Sequence, residues 1–341
     1  MLGTYWCRWI IAAAVATVGV SSVAEAQTLA QVKQRGTLNC GVDTGAPGFA
    51  VKDDKGKWVG LDVDFCRAIA VAVLGDAEKV NYVPLTAKVR FTSLQNGEID
   101  VLIRDSTLTF TRATQLKLNP VGVNFYAGQG FMVKKSLNAK GVKDLNGATI
   151  CTITGATLEL NIADYNRANN VKIGTLLFEK LDEATVALES GRCDGYTDDT
   201  GSLAGARSTM KKADDWIVLA EVISKEPLGI HTRQGDDQWS NVAKWILGAT
   251  ITAEEVGITQ ANADQLAKTS DNPEIRRVLG VEGDFGKMLG LDNDWALKAI
   301  KTSGNYGEIY ERHFGTKALQ LPRGVNNLWS KGGLMYSYPF R

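Results

Sequence analysis

Few residues in this sequence carry obvious chemistry. Asp198 and Asp199 are adjacent and could share acid–base work, although paired acids after a strand are a non-specific signal. His231 and His313 are the only two histidines and lie far apart, so neither a His-rich zinc site nor a His-centred triad is expected. There is no G-x-S-x-G elbow and no P-loop, and Gly128-Gln129-Gly130 lacks the third glycine of a dinucleotide fingerprint. Gly155-Ala156-Thr157 opens a helix, where small residues and free N–H groups favour an anion. N-capping by Thr154 or Thr157 is the plainer reading, and the two are compatible. Arg112 follows Thr107-Leu108-Thr109-Phe110-Thr111 and, taken alone, reads as a surface arginine beside a Thr-rich strand end. No cofactor is called for.

Composition narrows the class. The 341 residues are 44% hydrophobic and 22% charged, with 38 basic and 38 acidic side chains. Zero net charge argues against a dedicated nucleic-acid binder, and the full apolar complement argues against disorder. The length fits two domains around separate cores better than one.

Residues 1–26 read as a signal peptide. Arg8 supplies the positive start, and Trp9 to Val20 is apolar but too short to span a bilayer. Ala24-Glu25-Ala26 offers small residues for cleavage before Gln27, and a membrane anchor is the alternative. Cys7 precedes the apolar run, so it is not placed as a lipoprotein cysteine. Export leaves Cys40, Cys66, Cys151 and Cys193 in an oxidising compartment, where three pairings are open. Cys40–Cys66 and Cys151–Cys193 are favoured because each stays inside one proposed unit. Four buried thiols are the alternative.

The elements that would position these residues follow a β-α-β-α-β order. Strands are expected at 37–42, 79–84 and 99–103. Between them lie a helix carrying Phe65, Ile69 and Val73 at helical spacing and a short one over 91–97. The pattern restarts near Gly130, with strands at 148–153 and 193–197 and helices at 157–168 and 181–188. The last third is mostly helical, with Asn272-Pro273-Glu274 as a clear start. The tail from Pro322 to Arg341, rich in Gly, Asn and aromatics, suggests no role.

Several segments carry a resemblance. GLDVDFCRAIAVAV (60–73) is similar to the signature of periplasmic solute-binding proteins of the polar amino-acid class, which serve ABC importers. LNCGVDTGAPGF, RFTSLQNGEIDVLIR, GQGFMV, ELNIADYNRAN, GRCDGYTDD, ISKEPLG, NPEIRRVLG and GNYGEIYERHFG resemble the general L-amino-acid branch, from about Leu29 to the C-terminus. The resemblance implies the type II periplasmic-binding-protein fold: two α/β lobes joined by two crossing strands. The crossings are expected near 126–130 and 229–232. Lobe 1 is then 27–127 plus 232–341, and lobe 2 is 128–231. It further implies binding of L-amino acids between closing lobes, in the periplasm of a Gram-negative bacterium. Delivery would be to permease subunits in the inner membrane, by a protein acting as a monomer. The alternative is a periplasmic enzyme on the same fold, such as a dehydratase of a small carboxylic acid.

An amino acid presents a carboxylate and an ammonium, and a desolvating cleft must satisfy both. By the resemblance, Arg112 pairs with the carboxylate, Thr107 adds its hydroxyl and N–H, and Ala156 and Thr157 grip it from the second lobe. Asp199 takes the ammonium, with a helix N-cap as its alternative, and Asp43 reaches the ligand side chain or merely forms a turn. Ala46 replaces a stacking aromatic and leaves room. Arg90 and Arg104 are expected in salt bridges, and Asp194 in a strand turn. Asp105, Leu108 and Asp198 depart from the branch, which has Asn, Trp and Thr there. The added carboxylates suggest a bias toward cationic ligands, unless both acids point away and pair with neighbours.

Overall fold

A computed structural model describes residues 28–341, and the signal peptide expected over 1–26 lies outside the described residues. Two five-stranded sheets organise the chain. The first runs, edge to edge, Val80–Leu85, Leu38–Asp43, Val101–Leu102, Glu226–Arg233 and Leu118–Ala127. Its first three strands are parallel and the last two antiparallel to their neighbours. Strand Leu38–Asp43 is buried at every position but Asn39, as expected for a parallel strand covered on both faces. Helix Leu61–Leu74 covers it and is apolar nearly all round. The reason is that helix Trp295–Ser303 packs on the side that would otherwise face water.

The second sheet runs Trp216–Val218, Gln129–Lys134, Gly195–Asp199, Thr149–Ile153 and Gly174–Phe178. Helices Leu158–Asn169, Leu181–Glu189 and Thr200–Thr209 cover it. The chain passes between sheets at Gly128, between Ala127 and Gln129. It returns through 219–225. Strand Glu226–Arg233 then pairs with Leu118–Ala127 from its first residue, Glu226 facing Ala127. The boundary expected at 231/232 falls inside this strand. Cys40 is bonded to Cys66 and Cys151 to Cys193, each bond within one sheet and its helices.

The tail is part of the first core. Leu328, Met335 and Phe340 are buried there, and the Phe340 ring lies 5.0 Å from Trp245. Asn326 acts as a strand partner would. Its Oδ1 accepts the Tyr126 N–H at 2.7 Å and its Nδ2 donates to the Tyr126 carbonyl at 2.9 Å. Arg323 pairs with Glu254 and donates to the Asn326 carbonyl at 2.8 Å. The tail therefore braces the strand that leads out of the first sheet.

Candidate functional site

The cleft between the sheets has about 530 Å³ of empty space, part of it open to solvent. Strand ends and helix starts of both sheets line it, the usual place for a small-molecule site in α/β folds.

On the first side, the loop after strand Val101–Leu102 carries Arg104 to Thr107. Asp105 is held at φ 27°, a left-handed conformation that costs a non-glycine residue energy. Fully buried Asp62 holds it there. One carboxylate oxygen accepts the Asp105 N–H at 2.9 Å, and the other accepts Asn124 Nδ2 at 2.8 Å. Burial pushes the Asp62 carboxyl up to about 7. Beyond the loop, Thr109 caps helix Phe110–Thr114 by accepting the Arg112 N–H. The Arg112 side chain turns back and donates from Nη1 to the Thr107 carbonyl at 2.6 Å. Its guanidinium lies 4.7 Å from the centre of the Phe91 ring. Burial lowers Arg112 to about 10, with the charge of Glu226 opposing.

The other two arginines differ sharply. Arg104 is engaged at all three nitrogens: it pairs with Asp43, donates to Asp105 at 2.9 Å, and gives its Nε–H to the Leu85 carbonyl at 2.9 Å. Arg90 was expected in a salt bridge and has none among the described residues. It is 2% exposed, its guanidinium stacks 4.6 Å from the same Phe91 ring, and Nε and Nη1 have no hydrogen-bond partner. Burial, followed by the charges of Arg104 and Arg112, holds it well below the usual arginine range. The acids that would have neutralised it, Asp43 and Asp105, are taken by Arg104. A buried guanidinium with unpartnered donors in a cleft-lining residue is costly unless a ligand acceptor meets it.

On the second side, Gly155 has φ 80°, and a Cβ there would lie 3.0 Å from the Lys88 Cα of the first side. Its missing side chain is what lets the two sides meet. The Thr157 hydroxyl does not cap its own helix; it crosses to Glu226. Strand Gly195–Asp199 ends in the two acids. Asp198 accepts from the Tyr196 hydroxyl and from the Asp199 N–H at 2.8 Å. Burial pushes Asp198 up to about 7. Asp199 stands at the start of helix Thr200–Thr209 without capping it, and its Oδ1 has no partner. Burial, then Asp198 and Glu226, raise its carboxyl well above the usual range. Asp194 accepts the Thr149 N–H at 2.8 Å at the far end of its strand, away from the cleft.

Asp43, Ala46, Asp105, Thr107, Ala156, Thr157, Asp198 and Asp199 thus line one cavity, with Arg90 and Arg104. Arg112 stands behind Thr107. Asp105 and Asp198 do not point away, yet each is already held, by Arg104 and Tyr196. Among the described residues, no group of three or more His, Cys, Asp or Glu is arranged to hold a metal ion. Glu226 had no role assigned from sequence. It is 2% exposed and accepts four hydrogen bonds, from Thr107 and Thr157 on Oε2 and from Asn161 and Ser224 on Oε1. The only signal was its place in the segment ISKEPLG.

The profile of the bacterial extracellular solute-binding proteins, family 3, matches residues 38–316. The chain belongs to that family. Among its relatives, the general L-amino acid-binding periplasmic protein of Rhizobium johnstonii is 53% identical over 334 residues, 97% of each chain. A glutamate/glutamine/aspartate/asparagine-binding protein of Rhodobacter capsulatus is 50% identical over 94% of this chain and 96% of its own. A solved periplasmic binding protein from Brucella ovis, with glutathione bound, superposes with a TM-score of 0.90. It is 51% identical and covers 93% of this chain and 100% of that one. This solute-binding protein therefore has the two-lobed type II fold, and the tail that braces Tyr126 lies beyond the segment the family profile spans.

Proposed function

We propose that the chain is the periplasmic substrate-binding component of an ABC importer, taking L-amino acids between two closing lobes and delivering them to a membrane permease. The observation that carries this is the coexistence, in one cleft, of unmet donors and unmet acceptors. Arg90 offers buried N–H groups without partners and the Ala156–Thr157 helix start lies in the cleft wall for a carboxylate, with Arg112 behind Thr107. Asp199 offers an unpartnered oxygen for an ammonium. In this reading Thr107 and Thr157 grip the carboxylate from opposite lobes, and Asp43 and Ala46 border the ligand side chain. The lobes are the two sheets with their helices, moving about Gly128 and 219–225.

The range of side chains is broad in this proposal. Asp105 and Asp198 bias the site toward cations, but Arg104 and Tyr196 already hold them, and Arg90 adds an unpaired cation beside them. The relatives' names, one general and one for acidic amino acids and their amides, support breadth. Binding without turnover, a periplasmic location and action as a monomer complete the reading. Relatives named as periplasmic binding proteins support the binding role and the location.

The test is thermal melting of ligand-stripped protein against the twenty amino acids. A ligand of the folded state at about 100 times its dissociation constant adds roughly 2.7 kcal/mol. Shifts with several amino acids, lost in Arg112→Ala, are expected. No shift with any of them overturns the proposal.

A further inference from the structure

We propose that Glu226 is a built-in stand-in for the ligand carboxylate: it latches the empty lobes together and must release Thr107 and Thr157 before an amino acid can bind. The proposal rests on the reading of Thr107 and Thr157 as carboxylate donors.

Glu226 occupies the position such a ligand group would need. Its Oε2 accepts from Thr107 of the first lobe at 2.6 Å and from Thr157 of the second at 2.8 Å. Its Oε1 accepts from Asn161 of the second lobe at 2.7 Å and from Ser224 of the return segment at 2.6 Å. A threonine hydroxyl has one proton to give. Both hydroxyl protons are spent on Glu226, so neither is free for a second carboxylate. A second carboxylate at the same donors would also meet like charge in a desolvated setting, which disfavours both.

The contact is a latch because its donors come from both lobes and the backbone beneath it is fixed. Glu226 is the first residue of its strand and pairs with Ala127, where the chain leaves the first sheet. Only the side chain can move. It has somewhere to go, because Glu226 lines an open groove on the hinge side of the molecule. That groove has about 1330 Å³ of empty space and is bordered by Gly128, Val222, Ser224 and Lys225. Rotation into it frees Thr107 and Thr157, and Lys225 supplies an opposite charge there.

The consequence is a built-in discount on affinity. A competing internal group lowers the apparent affinity by the fraction of molecules it occupies. Removing it strengthens binding, whereas losing an ordinary structural residue weakens it.

The experiment is calorimetric titration of ligand-stripped wild type, Glu226→Ala and Glu226→Gln with L-glutamate, L-glutamine and L-arginine. The radius of gyration of each empty protein is measured by X-ray scattering. Glu226→Ala is expected to bind tighter by about tenfold and to be more extended when empty. Glu226→Gln keeps the shape without the charge and is expected to gain in the same direction. It also carries the test if Glu226→Ala does not fold. If wild type binds but neither variant binds tighter, the inference is overturned and the function stands. If the wild type is no more compact than the variants when empty, the latch is overturned. If wild type binds none of the three, both fall.

Discussion

The carbonyl of Pro47 lies against the Cα of Gly205, so closely that a Cβ at Gly205 would come within 2.3 Å of that oxygen. Pro47 belongs to the loop after the first strand of lobe 1, and Gly205 to a helix of lobe 2. One turn earlier, Gly201 meets the Phe49 ring in the same way, a Cβ there lying 2.8 Å from it. The two glycines make a smooth helix face on which the opposite lobe rests. A valine is tolerated in a helix interior about as well as a glycine when nothing presses on it. Gly205→Val is therefore expected to leave the empty protein folded and to block closure. Ligand affinity should fall by about tenfold or more, since closure and binding are coupled. Unchanged affinity would show that Pro47 and Gly205 need not meet.

Binding should release protons. Burial pushes Asp198 up to about 7 and Asp199 well above the carboxylate range, so both carry protons in the empty cleft at mildly acidic pH. A ligand ammonium favours the charged form. The dissociation constant is then expected to fall as pH rises from 5.5 to 8, with protons appearing in buffers of different ionisation enthalpy. Calorimetry that finds no proton release at pH 6 contradicts this.

His231 makes the fold acid-sensitive. It is buried and its Nδ1 lies 3.1 Å from the Gly229 carbonyl, while Nε2 has no partner. Burial, then Arg112 and Arg90, lower it to about 3. Its folded value is depressed, so the unfolded chain binds the extra proton between pH 3 and the ordinary value of about 6.5. Its contribution is intact above about 6.5 and is lost as pH falls, reaching about 2 kcal/mol at pH 5. His231→Asn keeps a donor for Gly229 but cannot titrate. Denaturant unfolding at pH 7.5 and 5.0 should show a smaller acid loss in the variant; equal losses would clear His231.

The Cys151–Cys193 bond spans 42 residues of lobe 2. Chain-entropy arguments give a loop of this size about 4 kcal/mol of stabilisation as an upper figure. The double variant Cys151→Ser, Cys193→Ser should lose about 2–4 kcal/mol in denaturant titration and melt lobe 2 first. A loss below about 1 kcal/mol would mean that the thiols pack as well as the bond does.

Much of this architecture is legible from local pattern. Phe65, Ile69 and Val73 mark helix Leu61–Leu74, and Asn272 does cap the helix that begins at Pro273, accepting the Glu274 N–H at 2.9 Å. Asp43, Asp105, Thr107, Asp198 and Asp199 fall on one cleft because strand ends converge there, whereas Arg112 stands behind it and Asp194 lies away from it. Glu226 and Arg90 were not legible as site residues. Glu226 acquires its partners only when its strand pairs with Leu118–Ala127, a register no local pattern encodes. Arg90 lacks an ion pair only because Arg104 takes both nearby acids. The tail showed no periodicity because Leu328, Met335 and Phe340 dock one at a time onto a core built by other segments.

The order of strands in the first sheet also fixes an order of events. Glu226–Arg233 sits between Val101–Leu102 and Leu118–Ala127, so that sheet lacks an inner member until residues beyond the whole second lobe have been made. Lobe 2 is contiguous from Gln129 to Val218 and owes nothing to later sequence for its strands. A chain emerging from its N-terminus can finish the inserted lobe while the lobe that began first still waits for one of its inner strands. The non-local pairing that completes it is the slow kind.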